Sequence, residues 1–167
     1  QCKHGIVCNG DEASTGWGQV GPKTRRALNG EMDKELFPKV DRMRQNLEEI
    51  CGYAGFPIVV TDAYRTPEEQ DALYAKGRTT EGPVVTNAKG GESYHNWQCA
   101  FDIAFRTADG DITYEGPWQK VGRIGEILGL EWGGHWDEFT DRPHFQFTAG
   151  YTVEQFQCGE VDITKFE

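Results

Sequence analysis

The chain has 167 residues, 37% of them hydrophobic, and carries a formal charge of −10 from 27 acidic against 17 basic side chains. That length suits one domain with a core of its own. The negative field disfavours nonspecific attraction to nucleic acid or to an anionic membrane surface, and no apolar run is long enough to span a bilayer.

In chain order, residues 1–33 are rich in glycine and polar side chains without sustained periodicity, and read as a lead-in to a main domain at 34–167. Within the lead-in, the stretch 16–29 (GWGQVGPKTRRALN) resembles the closing turn and helix of a small peptidoglycan-binding repeat; a linker with one helical turn fits the same residues. The first residue is Gln1, as expected of a processed product whose signal peptide, if it had one, is gone. Five cysteines, none in a C-x-x-C pair, suit an oxidising compartment, with one thiol left over if the others pair. Cys2 and Cys8 would close a small loop around His4, a pairing that competes with free thiols and, more weakly, with a metal site.

From Lys34 to Gly52, the apolar residues Leu36, Phe37, Val40, Met43, Leu47, Ile50 and Cys51 recur at three- and four-residue steps and predict an amphipathic helix, stopped by Gly52 and Gly55. Pro57 to Thr61 reads as a buried strand, with Arg65 just past its end. Thr66-Pro67-Glu68-Glu69 combines an N-cap, a first-turn proline and a capping-box glutamate, so a helix runs to about Lys76 and ends at Gly77. Residues 78–94 form a long loop, with a short strand at Val84 to Thr86; long loops in compact domains are more often functional than idle.

Ala100 to Phe105 alternates as a strand, with Ala100, Asp102 and Ala104 on one face and Phe101, Ile103 and Phe105 on the other. His95 precedes Asp102 by seven residues, an odd spacing that one strand would send to opposite faces, so His95 belongs to the preceding turn. Ala108-Asp109-Gly110 turns into a hairpin with Ile112 to Tyr114. Pro117 opens a helix bearing Trp118, Val121, Ile124, Ile127 and Leu128 at helical spacing, and Gly129 closes it. A short strand at Leu130 to Trp132 follows, then His144 to Phe147 alternates with His144 and Gln146 on one face. Thr152 and Gln155 open a last short helix, beyond which no pattern is readable. The order predicts an α+β fold: a small, mostly antiparallel sheet with helices on one face and Asp102 and His144 on the open one.

If the strands bearing Asp102 and His144 pair, the turn before Ala100 can bring His95 over the same spot. Two imidazoles, a carboxylate and an open position suit a catalytic zinc site. Pro143 argues against a helix between Asp141 and His144, leaving Asp141 free to take a proton from a water that the metal activates. Arg65 is the candidate cation for a developing oxyanion. Each of these residues taken singly is better explained as an ordinary polar group at a sheet edge.

Ser93-x-His95-x-x-x-x-Ala100-x-Asp102 resembles the S-x-H-x-x-G-x-A-x-D signature of the zinc D-alanyl-D-alanine carboxypeptidases, dipeptidases and L-alanyl-D-glutamate endopeptidases that cut peptidoglycan stem peptides. The endopeptidase branch, which includes phage endolysins, is resembled further by Tyr64-Arg65, Gln70, Leu73 to Thr79, Val85 to Ala88, Trp132 to Trp136 and Asp141-x-Pro143-His144-Phe145. The match covers about residues 35–150. The resemblance implies a hedgehog/DD-peptidase-like fold with zinc on His95, Asp102 and His144, and Asp141 as general base. It also implies Arg65 as oxyanion or substrate-orienting cation, Ser93 as a substrate hydrogen-bonding group, and Gln70, Arg78 and Asn87 lining the cleft. The implied partner is a peptidoglycan stem peptide, met by a monomer that is secreted, periplasmic or wall-bound, or that acts as a phage lysin.

Two positions depart from the family's pattern. Gln98 stands where the signature has glycine, so a positive φ there would have to be built differently. His135 stands where the family often has aspartate, as a solvated loop residue or an extra ligand. Cys99 reads as a small buried hydrophobe. A catalytically weak, zinc-bearing wall-binding module of the same fold is the alternative, with Gln98 as its main support; a wall-anchoring role for the lead-in is a third. Arg78 or Lys89 would hold a terminal carboxylate in a carboxypeptidase, and no spacing separates that from endopeptidase action.

Overall fold

The computed structural model describes residues 36–167; the lead-in, the repeat-like stretch at 16–29, and Cys2, His4 and Cys8 lie outside them. The described residues fall into two compact units, one from 36–64 with 98–147 and the other from 65–97 with 148–167.

The first unit holds the sheet. Helix α1 (Pro38–Tyr53) starts later than the apolar spacing predicts, with Phe37 extended at its N-cap and proline in its first turn. Proline's fixed φ suits that position and keeps the residue before it out of the helix. Val40, Met43, Leu47 and Cys51 are its buried face, and Gly55, at φ +83°, turns the chain after it.

Strands β1 (Ile58–Asp62), β2 (Ala100–Arg106), β3 (Ile112–Thr113), β4 (Glu131–Trp132) and β5 (His144–Gln146) form one sheet in the order β1-β2-β5-β4, with β3 pairing β2 off that path. All the pairings are antiparallel. In the β2–β5 ladder Asp102 lies opposite His144 and Phe101 opposite Phe145. Directly opposed residues point to the same face, so one face of this pair is aromatic and the other carries the two polar groups. The Phe101 and Phe145 rings stack at 5.9 Å.

Helix α3 (Trp118–Ile127) lies on the aromatic face, but not by the stripe its large residues suggest. Trp118, Val121, Gly122 and Gly125 are buried, whereas Ile127 is 74% exposed. The two glycines form the contact, Gly122 against the Trp132 ring and Gly125 against the Phe145 ring. A methyl on Gly125 would sit 2.5 Å from Phe145 Cε1. Gly125→Val is therefore expected to cost at least about 2–3 kcal/mol of stability through overpacking. Gly125→Ala should also destabilise, although alanine gains about 1 kcal/mol in helix propensity. A urea midpoint left in place by either change would mean that the helix can lift off the sheet at little cost.

In the second unit, helix α2 (Pro67–Ala75) has the predicted capping box: Thr66 Oγ1 accepts from the Glu69 amide while Glu69 Oε2 accepts from the Thr66 amide. Val84 to Thr86 is not a strand. Side chains hold that loop instead, with Gln70 Nε2 donating to Ala88 O and Arg78 Nη1 to Thr86 O. A single-turn 3-10 helix, Tyr94–Trp97, helix α4 (Val153–Gln157) and a second 3-10 turn, Ile163–Phe166, complete the unit. Trp97 stacks on Phe156 at 5.6 Å, Tyr94 meets the same ring edge-on at 6.1 Å, and the fully buried Phe166 closes the cluster. Helix α4 has the predicted capping box of Thr152 and Gln155, and the sequence beyond it carries no readable period because a lone aromatic on a short turn leaves none to detect. Among the described residues Cys51 and Cys99 are both free and buried while Cys158 is disulfide-bonded, so pairing leaves more than the one thiol expected.

Candidate metal centre

The turn ahead of β2 is where the local sequence is most constrained. Asn96 is buried, and its Oδ1 accepts from the Gly91 and Ser93 amides while its Nδ2 donates to the Arg65 carbonyl at 2.8 Å. Trp97 Nε1 donates to Gly91 O, and Ser93 Oγ accepts from the His95 amide. Ser93 thus braces the turn that presents His95. The Arg65 amide donates to the His95 carbonyl at 3.2 Å. Asn96 is a structural determinant that the sequence reading passed over; its signal was an amide, able to donate and accept, inside a loop that needs both.

Gln98 then reverses the chain into β2 at φ +61°, so the turn keeps the left-handed conformation for which the family signature supplies glycine. A non-glycine residue there costs of order 1 kcal/mol. The side chain adds a second cost, because Gln98 is fully buried and neither Nε2 nor Oε1 has a hydrogen-bond partner among the described residues. Nothing in the structure explains why glutamine is used. Gln98→Met keeps the volume and removes the orphaned amide, so it should stabilise by about 1–3 kcal/mol. An unchanged or lower Tm would mean that the amide is satisfied in solution. Since the turn is built despite Gln98, the main support for the wall-binding alternative is withdrawn.

With the turn in place, His95, Asp102 and His144 each offer a ligand atom within 4.8 Å of the others, and no other such group of histidine, cysteine or carboxylate occurs among the described residues. His95 and His144 are buried and Asp102 is partly buried. His144 Nδ1 faces Asp102 Oδ1 at 3.1 Å, and its Nε2 lies 3.0 Å from Gln146 Oε1. Burial alone would lower the His144 pKa. The hydrogen bond and charge of Asp102, the Gln146 hydrogen bond and the charge of Asp141 outweigh it and raise the pKa. The site is thus biased toward holding positive charge where the three donors converge. Two imidazoles and a carboxylate, partly desolvated, with an electrostatic preference for a cation, fit zinc.

The remaining predicted residues divide by what they touch. The Asp141 amide donates to Gly133 O, its carbonyl accepts from the His144 amide, and its charge acts on His144, but it is not one of the converging donors. Gly133 must be glycine, since a methyl there would meet Asp141 O at 2.5 Å. Arg65 Nη1 donates to Gln70 Oε1 at 2.6 Å, and Gln70 is fully buried, so Gln70 positions the guanidinium from behind. Arg78 donates to Tyr74 O, Thr86 O and Asn87 Oδ1 and lies over the Tyr74 ring, so both Arg78 and Asn87 act as loop braces here. His135 pairs with Glu126 at 2.9 Å and meets the Trp132 ring edge-on. Burial, and secondarily the charge of Glu131, holds the Cys99 thiol well above its usual pKa. A protonated, fully enclosed thiol agrees with a packing role.

A family model described as D-alanyl-D-alanine carboxypeptidase matches residues 86–147, the span that contains all three donors and Asp141. The peptidoglycan L-alanyl-D-glutamate endopeptidase CwlK of Bacillus subtilis is 40% identical over 122 residues, covering 67% of this chain and 73% of that protein. An L-alanyl-D-glutamate peptidase of a Listeria phage is 29% identical over 109 residues, covering 63% of this chain and 36% of its own length. Among solved structures, the LD-carboxypeptidase LdcB superposes with a TM-score of 0.54 at 20% identity, covering 73% of this chain and 75% of that one. The L,D-carboxypeptidase DacB from Streptococcus pneumonia gives 0.53 at 19% identity, covering 79% and 76%. These two show the same α+β fold. Convergent donors, a matching family model and a relative of 40% identity agree, and the chain belongs to the D-alanyl-D-alanine carboxypeptidase family of zinc-dependent peptidases.

Proposed function

We propose that the chain hydrolyses the L-alanyl-D-glutamate bond of peptidoglycan stem peptides, with a catalytic domain at 34–167 behind a lead-in at 1–33. The convergence of His95, Asp102 and His144 carries the chemistry, and the activity of the 40% identical relative supports the choice of bond. His95, Asp102 and His144 would hold zinc, which would supply Lewis-acid character and activate a water for attack. Asp141 takes the proton of the attacking water and returns it to the departing amine. Arg65, held by Gln70, faces the substrate with a fixed positive charge, and such preorganised charge costs no reorganisation as the oxyanion develops. Ser93 orients the substrate backbone while bracing the His95 turn.

The site of action we propose lies outside the cytoplasmic membrane, in the wall or periplasm, or at the wall as a phage lysin. The disulfide at Cys158 and the two wall-acting relatives support it. No helix among the described residues is long and apolar enough to cross a membrane.

Digestion of purified muropeptides followed by mass spectrometry tests the reading. The expected products are a free L-alanyl terminus on the glycan side and a D-glutamyl amine on the released peptide. Release of terminal D-alanine alone would replace endopeptidase with carboxypeptidase action. No cleavage by zinc-loaded protein would sink the enzyme reading.

A further inference from the structure

The imidazole of His144 is held from behind by a chain of hydrogen bonds that none of the roles above requires. Gln146, two residues on and on the same face of β5, is 5% exposed and places its Oε1 3.0 Å from His144 Nε2. Its Nε2 donates to Glu131 Oε2 at 2.8 Å, across the ladder in which β4 pairs β5 and Glu131 lies opposite Gln146.

The chemistry of these groups fixes a direction along the chain. An ionised carboxylate only accepts, so Glu131 requires the NH2 end of the Gln146 amide. The carbonyl end must then point to His144, where it can only accept, so Nε2 is the protonated ring nitrogen. Asp102, likewise only an acceptor, faces Nδ1 at 3.1 Å, so Nδ1 is the nitrogen that would give up its proton to a metal and turn its lone pair toward the other two donors. Without Glu131 the amide could rotate by half a turn and present NH2 to the ring. The opposite tautomer would follow, with no lone pair toward the other two donors.

We infer that Glu131 and Gln146 are positioning residues for the metal centre: the Glu131 carboxylate sets the Gln146 amide, and the amide sets which nitrogen of His144 binds zinc. The inference rests on His144 being a zinc ligand. Outer partners of this kind are worth about tenfold to a hundredfold in metal affinity. The arrangement also explains the placement of an acid on β4. Glu131 is itself exposed, yet the group it directs is buried two hydrogen bonds away.

The test measures zinc affinity by competition with a chromogenic chelator and, separately, locates the ring proton of His144 by nitrogen-15 NMR on zinc-loaded wild-type protein. Gln146→Met, close in volume but unable to accept, should weaken zinc binding by about tenfold to a hundredfold. Glu131→Leu should weaken it by a smaller factor. The pair Gln146→Glu with Glu131→Gln reverses the chain while keeping an acceptor toward His144, so it should bring affinity back to within about threefold of wild type; a packing role alone predicts no such rescue. Wild-type affinity in folded Gln146→Met, or a doubly substituted protein no better than Gln146→Met, would overturn the inference. So would a His144 ring proton on Nδ1, a readout that stands even if a variant fails to fold. Wild-type protein that takes up no zinc would overturn the metal reading itself, and this inference with it.

Discussion

Asp141→Asn is expected to keep stoichiometric zinc and to lose turnover by about 10²–10⁴-fold, the range that a positioned general base contributes. The argument separates two functions of one neighbourhood. Asp141 is outside the group of converging donors, and its backbone bonds to Gly133 and His144 do not depend on the side chain's charge. The amide is nearly the same shape as the carboxylate but cannot take a proton from the attacking water. Its charge does favour a cation at His144, so zinc affinity should fall modestly while occupancy at micromolar metal survives. Metal content by elemental analysis and kcat on purified muropeptides measure the two arms. An Asp141→Asn protein with full kcat would remove Asp141 from the mechanism.

His144→Ala should do the opposite, losing the metal and, as a consequence, all measurable activity. Only His95 and Asp102 would remain of the converging donors, and two ligands do not hold zinc against a chelator. Chelation of wild-type protein should abolish activity, and added zinc should restore it. The same experiment has a thermodynamic readout. A ligand at about a thousand times its Kd stabilises the folded state by about 4 kcal/mol, so a chelator should lower the wild-type Tm by several degrees. The Tm of His144→Ala should not respond. Stoichiometric zinc in His144→Ala, or a chelator-sensitive Tm in that variant, would remove His144 from the ligand set.

Most of this site was readable because its parts are local or obey strict periods. The odd spacing of His95 and Asp102 required a turn between them, and the structure places one there, with Gln98 at φ +61°. Alternation put His144 and Gln146 on one face, and their rings and amide meet. The capping box at Thr66 needed only four adjacent residues. What escaped notice depends on partners distant in sequence. Ile127 fits a helical stripe, but the choice of buried face was made by Trp132 and Phe145, which glycine alone lets approach. Phe166 is buried against Phe156, a contact that no short-range pattern signals. Gln70, Arg78 and Asn87 were recognised as a group, but not that Gln70 backs Arg65 or that Arg78 holds the loop, since both depend on how residues 78–88 fold back onto α2. The glutamate that directs Gln146 lies on a two-residue strand, too short to show a period.

Two hydrogen bonds tie Arg65 to the His95 turn. The Arg65 amide holds the His95 carbonyl, and the neighbouring Asn96 side chain holds the Arg65 carbonyl. On the roles proposed above, a substrate anion held by Arg65 would also remove freedom that His95 would otherwise surrender on meeting an ion. Such coupling is reciprocal: whatever factor a substrate analogue adds to zinc affinity, zinc adds to the affinity for the analogue. Asn96→Ala, which removes the side-chain half of the tie, would then weaken that reciprocity.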